Sequence, residues 1–158
     1  MNRFELWQRW LVAVGLAMVA FGIVMTFLNG TALFDVFNEQ IDPVFWGTAT
    51  LPDGARVFQR WVYGAWGATV AGLGVLVACV AHYPFKKGEA WSRNCLVVGM
   101  GVWYVLDTGV SIWFGVYFNA LFNTALLALM AIPLALTWGA FASGSGPVER
   151  AGAQPPRE

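Results

Sequence analysis

Charge is scarce in this chain. Only 11% of its 158 residues are Asp, Glu, Lys or Arg, and nine basic side chains balance nine acidic ones. A soluble domain carries about 25% charged residues, so this chain has too little charge to cover a water-facing surface. With 58% hydrophobic residues it is not a disordered polymer. Its zero net charge excludes nucleic acid as a partner held by a basic surface. Cysteine is limited to Cys79 and Cys95, with no Cys-x-x-Cys pair, which excludes a disulfide scaffold and a thiol-redox motif. The one histidine, His82, excludes a two-histidine haem site. Gly-x-Ser-x-Gly, His-Glu-x-x-His and a phosphate-binding loop are absent. No catalytic residue and no metal site are therefore assigned, and the cofactor, if there is one, is unknown.

Long apolar runs are abundant. A helix crossing a hydrocarbon core of ~30 Å needs about 20 mostly apolar residues. Trp10–Leu28 is one such run, and Val57–Val80 is another with Arg60 near its start. Arg3 and Arg9 ahead of the first run resemble a secretory signal, but no small-x-small cleavage site follows and the run is long enough to span. Apolar sequence then continues from Asn94 to Phe141, roughly 72 Å as one helix at ~1.5 Å per residue. No bilayer is that thick, so the stretch must turn back, and Gly115-Val116-Tyr117-Phe118-Asn119 offers the break.

The expected fold is thus all-α: an up-down bundle of four transmembrane helices with an extracytoplasmic amphipathic loop helix. Its transmembrane domain covers 1–141, with spans at 10–28, 57–80, 94–114 and 120–141, and 142–158 is expected to be a flexible cytoplasmic tail rich in Gly, Pro, Ser and charge. Four spans put both ends on one side. That side holds Arg3, Arg9, Lys86, Lys87, Arg93, Arg150 and Arg157, against Arg56 and Arg60 on the other, so the ends are expected in the cytoplasm. Trp7, Trp10, Trp91 and Trp138 fall at the inner interface and Trp46, Trp61 and Trp113 near the outer one.

The outer loop, Asn29–Arg56, is long enough to carry structure of its own. Phe34, Phe37 and Ile41 recur at helical spacing with polar residues between them, and Asp42-Pro43 is expected to stop that helix. Phe45-Trp46-Gly47 is expected to dip into the mouth of the bundle, and Leu51-Pro52-Asp53-Gly54 to form a type I turn.

An ionisable side chain within a span is expensive and marks a site to be explained. Asp107 is the clear case. Tyr104, Asp107, Thr108 and Ser111 share a helical face. Arg60 and Tyr63 form a polar face on the second span, and Asn119 and Asn123 on the fourth. The expected site therefore comprises Arg60, Tyr63, Trp103, Tyr104, Asp107, Ser111, Asn119 and Asn123, with Trp46 above it, and Arg60 is expected to pair with Asp107. The pair suits either a structural tie between helices or a pocket for a small hydrophobic or amphipathic ligand or a lipid headgroup.

Small residues point to close helix packing. Gly64-x3-Ala68-x3-Gly72 is expected to be the ridge on the second span, with Gly15 and Gly22 one heptad apart on the first. Pro133 is expected to kink the fourth span or free a carbonyl for a neighbour. Besides the lipid bilayer, the expected partners are further copies of the chain or a larger membrane complex. A scaffold subunit is the second functional reading and a membrane enzyme of unknown reaction the third.

Asp42-Pro43-Val44-Phe45-Trp46-Gly47, Trp61-Val62-Tyr63-Gly64, Trp103-Tyr104-Val105-Leu106-Asp107-Thr108 and Tyr117-Phe118-Asn119-Ala120-Leu121-Phe122-Asn123 resemble segments of small bacterial four-helix integral membrane proteins of unassigned function. The resemblance implies four spans and a bacterial inner membrane, and nothing about substrate.

Overall fold

The computed structural model describes residues 3–48 and 51–141, and every regular element within them is helical. The expected tail, 142–158, lies outside the described residues. Helix α1 covers Arg3–Leu28, α2 Asp35–Trp46, α3 Asp53–Val80, α4 Ala90–Trp113 and α5 Tyr117–Leu136. Of these, α1, α3, α4 and α5 are long and apolar enough to cross a membrane. Their outer faces expose Leu16, Ile23, Leu76, Val105, Leu106 and Leu121, a continuous apolar coat that water would oppose and lipid accepts.

The helix ends follow local chemistry. Gly115 takes φ +76° between α4 and α5, and the Val116 N–H closes on the Ser111 carbonyl at 2.8 Å. A side chain at that φ would be strained, so the chain reverses where glycine allows it. Helix α2 does not stop at Asp42-Pro43. It runs on to Trp46 and ends at Gly47, which has φ +65°. Pro43 forfeits one helical hydrogen bond, but the carbonyl it leaves belongs to Glu39 on the exposed face, where solvent satisfies it. The expected turn at Leu51–Gly54 is instead the start of α3. Pro52 is its N-cap and the Arg56 N–H bonds the Pro52 carbonyl at 3.0 Å. A type I turn and a first helical turn share the same backbone angles, so the sequence signal serves both.

Helices α1 and α3 pack antiparallel with a seven-residue repeat. Gly15 meets Gly74, and Gly22 meets Gly67. The two ends of this row are closed by amides: Gln8 Nε2 donates to the Ala81 carbonyl at 3.0 Å, and Asn29 Nδ2 to the Arg60 carbonyl at 3.2 Å. Positions 8, 15, 22 and 29 thus face 81, 74, 67 and 60. The small face of α3 is therefore Gly67, Ala71, Gly74 and Ala78. Of the expected ridge only Gly64 touches α1, its carbonyl accepting from Thr26 Oγ1 at 3.3 Å. The rest is turned away, since Ala68 is exposed and Gly72 borders open space.

Helices α4 and α5 form a second hairpin. The two hairpins join at the end of the bundle where α1 begins, through a core of Leu11, Phe85, Leu96, Met100, Met130 and Phe141. Pro133 contributes to this joint as expected. It has no N–H for the Leu129 carbonyl, and Trp10 Nε1 supplies one at 2.9 Å. At the other end, Phe34 and Tyr63 are buried with Met25, and Phe37 and Ile41 of α2 pack on them. The apolar face of α2 is thereby turned onto the helices.

Candidate functional site

Between the two hairpins the packing opens into a cleft of about 200 Å³. Its walls are apolar and aromatic, with Phe21 from α1, Phe37 from α2, Trp66 from α3, Trp103 from α4 and Phe122 from α5. An engineered apolar cavity of ~150 Å³ holds benzene, so this space suits a small organic group. The charged and amide side chains on its wall come from α4 and α5: Asp107, Asn119 and Asn123. A second, wider cleft of about 500 Å³ lies beside it, lined by Phe45, Tyr63 and Ser111 among others. Trp66, Asp107 and Asn119 border both.

The polar cluster is built by the α4–α5 turn. Reversal at Gly115 brings Asn119 and Asn123 back alongside Asp107, Thr108 and Ser111. Asn119 Nδ2 donates to Asp107 Oδ1 at 2.9 Å and to Ser111 Oγ at 2.8 Å. Ser111 Oγ donates to the Asp107 carbonyl at 2.7 Å and lies 3.4 Å from its carboxylate. Asn123 Nδ2 donates to Thr108 Oγ1 at 3.3 Å. Asn119, Asn123, Thr108 and Ser111 are all buried, and Asp107 is half-buried at the cleft wall. Asp107 sits six residues before the end of α4, so roughly 9 Å below it.

Of the residues expected in the site, Asp107, Ser111, Asn119, Asn123, Trp103 and Tyr63 are brought to the two clefts. Arg60 is not. Its guanidinium lies against Gly30 and lines a different, polar pocket of about 280 Å³ with Asp35, Glu39 and Asp42. The expected Arg60–Asp107 pair does not form. The Gly22–Gly67 contact sets the rotation of α3, and that rotation turns Arg60 toward the Asn29–Thr31 turn. Tyr104 points away too, and its hydroxyl bonds Thr124 at 3.1 Å on the exposed side of the α4–α5 hairpin. Of the segment expected at the mouth, Trp46 is half-exposed at the end of α2, whereas Phe45 lines the wider cleft, 6.1 Å from the Phe114 ring.

Tyr63 is 5% exposed, and its hydroxyl has no hydrogen-bond partner among the described residues. Such a group costs roughly 1–3 kcal/mol if left unsatisfied. Trp66 is not among the residues expected in the site. Its position three residues after Tyr63 places both on one face of α3, the signal that links it to the site. Phe37 and Phe122 carry no comparable signal, because in an apolar chain an aromatic residue is ordinary. Comparison with protein-family models, with curated proteins and with solved structures finds no match to this chain.

Proposed function

We propose that this chain is an integral protein of the bacterial inner membrane that binds a small hydrophobic or amphipathic ligand between its two helical hairpins. In this reading α1, α3, α4 and α5 cross the bilayer up and down, the termini lie in the cytoplasm, and α2 covers the extracytoplasmic mouth. The observation that carries it is the aromatic cleft whose one polar wall is Asp107 and Asn119. An apolar chamber with few convergent polar groups is the usual form of a small-molecule site. A merely structural tie would have closed the space around the carboxylate.

The test uses the full chain purified in a mild detergent and native mass spectrometry. Retention of a small molecule in the wild type, and its loss in Ala17→Phe, supports the site. Ala17 lines the cleft yet is not part of the buried core, so the added ring fills the space without breaking the bundle. Equal retention by both proteins overturns the proposal.

A scaffold role is the second reading. The exposed Val44, Phe45 and Trp46 at the end of α2 favour it, and obligate co-purification with a larger membrane protein is its sign.

A further inference from the structure

We infer that the ligand is a cationic amphiphile, an ammonium group on an apolar body, with its charge placed beside Asp107. The inference rests on the ligand-binding reading above and adds the chemical class. Three observations lead to it.

First, among the described residues the Asp107 carboxylate receives a hydrogen bond from Asn119, has the Ser111 hydroxyl 3.4 Å away, and has no cationic partner. An unpaired charge at an apolar wall is expensive, and a counter-charge is the direct remedy. The obvious protein candidate, Arg60, is committed elsewhere.

Second, the polar wall offers acceptors. Both hydrogens of Asn119 Nδ2 are used within the protein, on Asp107 and Ser111. Asn123 spends one of its two N–H hydrogens on Thr108 and is almost fully buried. What remains for a guest beside Asp107 is oxygen: the carboxylate and the Asn119 amide carbonyl. A phosphate, a carboxylate or a quinone carbonyl would meet like charge or like lone pairs there. An ammonium group, which only donates, meets its complement.

Third, the walls are rings. Trp66 and Trp103 line the cleft beside Asp107, and indole is the best aromatic surface for a cation. A bare metal ion is the wrong guest, because calcium, for example, needs about six to eight oxygen ligands and this wall is mostly apolar. The ammonium could belong to an ethanolamine lipid headgroup or to a soluble amine, and the experiment separates these sources.

The full chain in dodecyl maltoside micelles, which carry no charge, is titrated with benzylamine, benzyl alcohol and benzoate, three probes of one size. Binding is read from tryptophan fluorescence. Benzylamine is expected to bind about tenfold or more tightly than either of the others. In Asp107→Asn that preference falls to about twofold or less. Competition by phosphatidylethanolamine but not phosphatidylglycerol identifies a lipid source, and its absence a soluble amine. Benzyl alcohol binding as tightly as benzylamine to the wild type overturns the cationic class and leaves the cleft as a ligand site. Failure of all three probes overturns the ligand reading itself. The wild-type ranking needs no variant, so a misfolded Asp107→Asn does not block the test.

Discussion

Gly22 and Gly67 place the backbones of α1 and α3 in direct contact. A Cβ on Gly22 would lie 2.5 Å from the Gly67 carbonyl oxygen, and one on Gly67 would lie 2.7 Å from that of Gly22. Neither carbonyl can yield without separating the helices. Gly22→Ala and Gly67→Ala are each expected to cost about 1–3 kcal/mol, the range of overpacked cores. Gly72→Ala, which faces open space, is expected to be neutral. Unfolding of the three variants in a denaturing-detergent titration checks the contrast, and equal loss at Gly72 would contradict the register.

The Trp10–Leu129 hydrogen bond exists because Pro133 withholds a donor. Trp10→Phe is expected to destabilise the bundle by about 0.5–1.5 kcal/mol. In a Pro133→Ala background the helix supplies its own N–H to Leu129, and the Trp10→Phe penalty should shrink. A double-mutant cycle on thermal stability measures this coupling.

Arg60 and Asp107 line separate cavities. Their substitutions, Arg60→Gln and Asp107→Asn, are expected to add within about 0.5 kcal/mol. A coupling energy above about 1 kcal/mol would show that the two charges meet after all.

Asn119 ties α5 to α4 through Asp107 and Ser111. Asn119→Leu is expected to leave Asp107 without its strongest donor and to cost about 1–3 kcal/mol. Asn123→Leu removes a longer bond of 3.3 Å to a hydroxyl and should cost less. Stability of both variants in the same detergent orders them.

The proposed orientation has its own check. A reporter active only outside the cytoplasm should be silent when fused after residue 158 and active when inserted after Gly47. The reverse pattern would invert the assignment of α2 to the extracytoplasmic face.

The four apolar helices were legible from length and hydropathy, because a chain with so few charges has no other way to bury its backbone in lipid. The reversal at Gly115 and the carbonyl freed by Pro133 were legible for local reasons, a backbone angle and a missing hydrogen. Asp107, Ser111, Asn119 and Asn123 were legible as one cluster, since a short reversal must bring the facing ends of consecutive helices together. Which face of each helix turns inward was not legible. In lipid every face is apolar, so hydropathy carries no rotational phase. The sequence alone therefore decided how many helices form and where they turn. Only the tertiary structure decided that Gly67 and Gly74 rather than Ala68 and Gly72 meet α1, that Arg60 turns away from Asp107, and that Trp66 takes a place in the cleft wall. Those choices follow from one steric fact, the backbone contact between α1 and α3, which sets the rotation of every side chain on α3.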